Sequence, residues 1–246
     1  MKYILCEDSG SGYKYFEYLR DTYSSKDKCK VLSSNGNSNY QDYLENLIKE
    51  LRQGDVLILA FDNVEVDKGF NPKNIIFSAK YNCEQLGVKL YHTAYYCLEE
   101  LFLSYKYLEE MFIAGEYKGE DKEKWTEILH YICDSTHKCK EYYIDNELVN
   151  YVKQVSKKAG KTKEKFTKAV LTHVSGSIFG DFKITDGAFG KCWLTSCDYV
   201  NIRNKDYKCR NCSLRFRNKT STEKASELEQ NSLSVLAVPF SCVLKD

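Results

Sequence analysis

Long apolar runs are missing from this chain: no stretch of its 246 residues approaches the roughly 18 apolar residues that cross a membrane as a helix. Net charge is almost missing too. The 36 Lys and Arg side chains are offset by 35 Asp and Glu, which leaves +1. Overall charge therefore gives no footprint for a polyanion, and only local clusters can make that case. No Gly-x4-Gly-Lys-Ser/Thr phosphate loop occurs; the Ser/Gly turn at 9–12 lacks the Gly-Lys-Ser/Thr ending. The chain shows no internal repeat. A secretory leader is not expected, because MKYILCEDSG reaches acids and a glycine after four apolar residues. Only two prolines are present, and they carry no functional reading. The expectation is a cytoplasmic protein without a membrane partner. Its 11 cysteines are then thiols or metal ligands rather than a disulfide framework.

Apolar residues make up 43% of the chain, enough for a packed core and too many for disorder. The first twelve residues organise the rest. An apolar run, Tyr3 to Cys6, ends in Glu7 and Asp8, and a Ser/Gly turn leads into a helical pattern from Ser11. Residues 2–6 read as a buried strand. Over 11–23, Tyr15, Phe16, Leu19 and Tyr23 fall on one helical stripe. A second strand is predicted over 29–32, closed by the turn-rich SSNGNSN. A helix over 39–52 directs Tyr40, Tyr43, Leu44, Leu47, Ile48 and Leu51 inward. VLILAF at 56–61 is the most apolar strand and ends in Asp62. Pro72 opens a helix over 72–86, Gly87 closes it, and VKLYH at 88–92 is a fourth strand. The order βαβαβαβ calls for a four-stranded parallel sheet with right-handed crossovers.

Beyond that sheet, a helix is expected over 95–112. A polar, aromatic and partly helical segment follows at 113–146, then one basic helical stretch from Glu147 to Val174 in which Gly160 marks a bend. The domains expected are 1–115, an α/β core; 116–185, a helical and basic insert; and 186–246, a cysteine-bearing region. The apolar tail of that region, LSVLAVPFSCVL, packs back on the core as a strand.

Three acids fall at related places. Glu7 follows the first strand, Asp62 the third, and Glu99 opens the helix after the fourth. Parallel strand ends converge on one edge, so Glu7 and Asp62 become neighbours if their strands are adjacent. Carboxylates held together repel unless protonated or bridged by a cation. A hard, oxygen-preferring ion such as Mg²⁺ or Mn²⁺ suits them, and such an ion supports phosphodiester hydrolysis. Read one at a time, acids at strand ends are ordinary turn residues and caps, and Asp8 is read that way.

The segments ILCEDSGSGYKYFEYL, DVLILAFDN and YCLEELFLSY together resemble the Toprim fold as used in small defence-associated nucleases of the RloB type. Glu7 matches that family's first acid, Asp62 its second, and Glu99 the acid of the following helix. The resemblance covers roughly residues 1–110. It implies a Toprim-like α/β core, a Mg²⁺-dependent endonuclease, and a role in bacterial antiviral defence beside a partner ATPase. Where the family carries Asp-x-Asp, this chain has Asp62-Asn63-Val64, with Glu65 and Asp67 further on. The expected metal ligands are therefore Glu7, Asp62, Glu65 and Asp67, and the expected catalytic acids Glu7, Asp62 and Glu99. Tyr105 stands where the family often has His.

Cys192-x4-Cys197, eleven residues, and Cys209-x2-Cys212 form a pair-linker-pair set that suits structural, tetrahedral Zn²⁺. The alternative is four reduced thiols. Arg203 and Arg210 in this region, with Lys157, Lys158, Lys161, Lys163 and Lys165 in the basic stretch, are the expected contacts to RNA or DNA phosphates. A solvated helix face is the competing reading of the lysines. Cys133-x3-His137-x-Cys139 lacks an evident fourth ligand and is read as structural. A catalytically inactive binding module, or a regulatory subunit of a defence complex, is the rival to the nuclease.

Overall fold

A computed structural model describes residues 1–7, 9–62, 70–93, 97, 120–137, 143–157, 159–179 and 240–245. Within it the chain forms two compact units, Met1–Tyr95 with Ser234–Asp246, and Tyr96–Leu233. Among the described residues no helix is long and apolar enough to cross a membrane.

The first unit is α/β. In chain order it contains β1 (Lys2–Cys6), α1 (Ser11–Tyr23), β2 (Cys29–Ser33), α2 (Asn37–Glu50), β3 (Val56–Ala60), α3 (Pro72–Leu86) and β4 (Lys89–His92). The four strands pair in parallel in the order β2-β1-β3-β4. Register aligns Cys6 with Ser33 on one side and with Ala60 on the other. β1 and β3 are the inner strands, and Ile4, Leu5, Leu57, Ile58 and Leu59 are fully buried. An inner parallel strand is covered on both faces, which is why these stretches are apolar without alternation.

The order 2-1-3-4 decides which helix covers which face. β1 connects outward to β2, whereas β2→β3 and β3→β4 both run the other way. Right-handed crossovers then place α2 and α3 on one face and α1 on the other. The packing agrees: Leu5, Leu57, Leu59 and Phe61 share one core with Tyr40, Leu44 and Leu47 of α2 and Ile75, Ala79 and Cys83 of α3. Tyr40, Phe61 and Phe70 meet edge to face, with ring centroids 5.2–6.0 Å apart. Alternation turns Ile4, Cys6, Ile58 and Ala60 to the opposite face, where α1 buries Tyr15, Phe16 and Leu19. Tyr43, expected inward, is exposed. It lies one residue from the buried Leu44, and the stripe that reaches the sheet runs through Tyr40, Leu44, Leu47 and Ile48.

Local chemistry sets the helix ends. Asn71 caps α3 by accepting the Asn74 N–H at 3.3 Å, and Pro72 follows at the first turn. Gly87, at φ +67°, closes α3 in the left-handed region that glycine tolerates. At that same N-terminal end of the sheet, buried Asp55 accepts the Met1 amine at 2.8 Å and the Arg52 N–H at 2.9 Å.

Of the apolar tail, residues 233–239 lie outside the described residues; the described end packs back on the core, but not as a strand. Phe240–Leu244 is a short helix, α7. Its Phe240 ring lies 5.6 Å from Phe16 of α1, and Lys2 Nζ donates to the Leu244 and Lys245 carbonyls at 2.8 Å. Periodicity does not separate a short apolar strand from a short buried helix. Pro239, just before Phe240 in the sequence, is the residue type favoured at a helix start.

In the second unit α4 (Lys122–His137), α5 (Asn146–Val155) and α6 (Lys163–Phe179) are described. Trp125 of α4 is buried, with its ring 5.4 Å from Tyr151 of α5 and 4.1 Å from His173 of α6. The basic stretch, expected as one bent helix, is two helices. Asp145 caps α5 through the Leu148 N–H at 2.7 Å, and Thr162 caps α6 through the Lys165 N–H at 3.3 Å. A second cap inside the stretch starts a new helix, so the chain breaks at 156–162 rather than bending at Gly160.

Candidate functional site

β1 and β3 diverge at their C-terminal ends. After β1 the chain leaves for one face of the sheet, and after β3 it leaves for the other. Such a switch in winding direction opens a crevice where open α/β sheets bind ligands. The residue after β1 is Glu7, and Phe61-Asp62 follow β3. The Glu7 N–H donates to the Ala60 carbonyl at 3.2 Å, so the ladder continues one residue past the strands. The Asp62 N–H then approaches Glu7 Oε2 at 3.4 Å. Glu7 and Asp62 are thus neighbours across the switch point, and both are partly exposed.

The backbone under this pair is held from several sides. The Glu7 carbonyl accepts the Gly36 N–H at 2.6 Å and the Ser34 hydroxyl at 2.9 Å. The Ser34 hydroxyl also lies 3.1 Å from the Gly36 carbonyl and 3.3 Å from that of Cys6. Beyond the partner acid, the Thr93 hydroxyl donates to the Phe61 carbonyl at 2.9 Å and faces the Phe61 N–H at 3.3 Å. Beneath both, the fully buried Tyr40 donates its hydroxyl to the Leu5 carbonyl at 2.9 Å. Burial pushes the Tyr40 phenol well above its ordinary range, with the neighbouring Cys6 and Glu7 adding to the rise, so it stays a neutral donor.

The loop between β2 and α2 completes the edge. Asn35 and Gly36 take positive φ, +58° and +120°, turning the chain so that the Gly36 N–H points at Glu7. α1 begins after Gly10 and α2 after Gly36. Neither has a side-chain cap or an acid in its first turn.

Two carboxylates offer oxygen donors only, which fits a hard divalent ion that keeps several waters. Among the described residues no three His, Cys, Asp or Glu side chains are grouped to hold a metal. Of the other expected residues, Glu65, Asp67 and Glu99 lie outside the described residues, as do Cys192, Cys197, Cys209, Cys212, Lys158, Arg203 and Arg210. Cys139 is outside them too, and the side chains of Cys133 and His137 are not described. Lys157, Lys161 and Lys165 are exposed, and Lys163 is partly buried. These four belong to the 156–162 connection and the first turn of α6. Lys168, one turn on, is paired with Glu164. Cys6, Cys29, Cys83, Cys97 and Cys242 form no disulfide. Cys6, Cys29, Cys83 and Cys97 are buried, and burial pushes the Cys29 thiol up to about 11.

Ser34, Thr93 and Tyr40 were not evident as site residues in the sequence. Each is a common residue type, and their spacing from Glu7 in sequence, 27 to 86 positions, carries no periodic signal. No protein-family model, curated protein or solved structure matches this chain.

Proposed function

We propose that the chain is a metal-dependent nuclease that hydrolyses phosphodiester bonds of RNA or DNA on a Toprim-like core. The observation that carries this reading is the approach of the Asp62 amide to the Glu7 carboxylate at 3.4 Å, at the switch point of an all-parallel sheet. Glu7 and Asp62 would hold Mg²⁺ or Mn²⁺ from the protein side. When bound, that ion supplies charge neutralisation at the phosphate and an activated water. With its backbone fixed by Ser34 and Gly36, Glu7 is the residue suited to take a proton from an attacking water. Glu65, Asp67 and Glu99 complete the proposed acid set on sequence grounds. Cys192, Cys197, Cys209 and Cys212 would bind a structural Zn²⁺ on the same grounds. Lys157, Lys161 and Lys165 would give backbone affinity without base choice. The resemblance in the first 110 residues adds antiviral defence beside a partner ATPase to the proposal.

One sequence feature favours a second reading. Val64 stands at the last position of the family's Asp-x-Asp, and a core without that acid serves equally as a nucleic-acid- or protein-binding module.

The test is incubation of the purified protein with mixed tRNA, single-stranded RNA and plasmid DNA, in Mg²⁺, Mn²⁺ or EDTA, beside Glu7→Ala. Cleavage of one substrate that disappears with EDTA and in the variant is expected. Binding that is unchanged by metal and by Glu7→Ala, with no cleavage, would assign the binding module instead.

A further inference from the structure

The two buried hydroxyls at the C-terminal edge of the sheet occupy equivalent places. Ser34 is the first residue after the outer strand β2, and Thr93 the first after the outer strand β4. Each extends its ladder by a main-chain bond: Ser34 N–H to the Cys6 carbonyl at 3.0 Å, and Thr93 N–H to the Leu59 carbonyl at 2.9 Å. Each then turns its hydroxyl inward onto the end of the neighbouring inner strand. Ser34 reaches the carbonyl of Glu7 itself, and Thr93 binds both main-chain groups of Phe61, the residue before Asp62. Both are almost fully buried, at 2% and 0% exposure. Of the other buried polar groups described, Arg20 pairs with Glu17 and Asp21, and Asp55 holds the Met1 amine at the N-terminal end of the sheet.

Phe61 is itself buried, so its main-chain groups need a protein partner, which Thr93 supplies. The Glu7 carbonyl already accepts the Gly36 N–H, and Ser34 adds a second bond to it. Here the two inner strands end in acids, with the Asp62 amide 3.4 Å from the Glu7 carboxylate, and like charges brought together at such a site favour separation unless a cation bridges them. Buried hydroxyls bonded from both outer strands oppose that separation and limit where the carboxylates can sit.

We propose that Ser34 and Thr93 are positioning residues that clamp the backbone under Glu7 and Asp62, so that the two carboxylates are set for one divalent cation before it arrives. This rests on the metal-site reading of that pair. Groups that orient metal ligands from behind typically change metal affinity about 10- to 100-fold when removed.

The experiment measures Mn²⁺ binding to the full chain by electron paramagnetic resonance of free Mn²⁺, without substrate. The variants are Thr93→Val, Ser34→Ala, Thr93→Ser and, as a control, Gly87→Ala at the opposite end of the sheet. Thr93→Val keeps the side-chain volume, so it decides the matter if Ser34→Ala does not fold. The expected result is a Kd for Mn²⁺ raised about tenfold or more in Thr93→Val and Ser34→Ala. Thr93→Ser should stay within about twofold of the wild type. Gly87→Ala should lower the unfolding midpoint and leave the Kd alone. Unchanged Mn²⁺ affinity in Thr93→Val and Ser34→Ala, with lowered unfolding midpoints, would overturn the clamp and leave the metal site standing. A wild type without any Glu7-dependent Mn²⁺ site would overturn both. Cleavage is not the readout, so a protein that binds Mn²⁺ at Glu7 yet cuts nothing still decides the positioning role by the same comparison.

Discussion

Glu7→Gln separates a site acid from a turn acid, because the two make opposite predictions for stability. Glutamine keeps the length of the side chain and an oxygen that can accept the Asp62 N–H, so the 3.4 Å contact survives. At that length it is a weak bond, and little stability depends on it. What disappears is the negative charge that Glu7 places against the Asp62 main chain, and with it any repulsion from the Asp62 carboxylate. Two unit charges about 4 Å apart interact by about 1 kcal/mol in bulk water and about 4 kcal/mol at an effective dielectric near 20. Both residues are partly exposed, so the lower end applies, and relief of about 0.5–1 kcal/mol is expected. For a unit the size of Met1–Tyr95 with Ser234–Asp246 that raises the midpoint by roughly 2–4 °C. The same variant should lose the response to metal. A ligand at about 100 times its Kd stabilises the folded form by about 2.7 kcal/mol, or roughly 10 °C here. The assay is thermal unfolding at low ionic strength, in EDTA and in Mn²⁺, of wild type and Glu7→Gln. The expected pattern is a variant more stable than wild type in EDTA and less stable in Mn²⁺. A variant destabilised in EDTA with its Mn²⁺ response intact would refute the reasoning and return Glu7 to an ordinary turn acid.

Tyr40→Phe removes the hydroxyl that holds the Leu5 carbonyl while keeping the ring in the Phe61–Phe70 cluster; urea unfolding should show a loss of about 1–2 kcal/mol. Tyr40→Ala, which also vacates the ring's volume, should cost about 3–5 kcal/mol in the same measurement. Gly87→Ala forces a Cβ into the left-handed region and to within 3.0 Å of the Gln53 side chain, and a loss of about 1 kcal/mol by chemical denaturation is expected. Burial beneath Trp125 lowers the His173 pKa from the ordinary 6.5. The charged form is therefore disfavoured in the folded state, and the unit of α4, α5 and α6 has the full contribution above the unfolded pKa and loses it as pH falls through the folded one. Far-UV circular dichroism of thermal unfolding across that window should show the acid-side loss in wild type and a flatter profile in His173→Phe.

Much of the sheet unit is legible in the sequence, and the reasons are local. VLILAF, bounded by Gly54-Asp55 and Asp62 and preceded and followed by helical patterns, reads as a strand covered on both faces. Tyr15, Phe16 and Leu19 recur at helical spacing, and Pro72 and Gly87 bracket one helix. The tail and the basic stretch were less legible. The apolar run at Phe240–Leu244 is too short for its period to choose between strand and helix, and Thr162 starts α6 inside what composition presents as one basic segment. Tyr43 shows a further limit: an aromatic one position off a buried stripe reads as part of it until the sheet's position is known.

The sequence by itself determined which residues are apolar and at what period, and hence four strands, their helices, and an acid at the end of the first and of the third. Periodicity is a property of neighbours along the chain, so it survives without the fold. Strand order is not such a property. Only the tertiary structure decided that β1 and β3 lie side by side, which brings Glu7 to Asp62, and that β2 and β4 lie outside them, which brings Ser34 and Thr93 onto the same edge. Those contacts join residues 27 to 55 positions apart, and they exist because the connections from β1 and from β3 step in opposite directions across one parallel sheet.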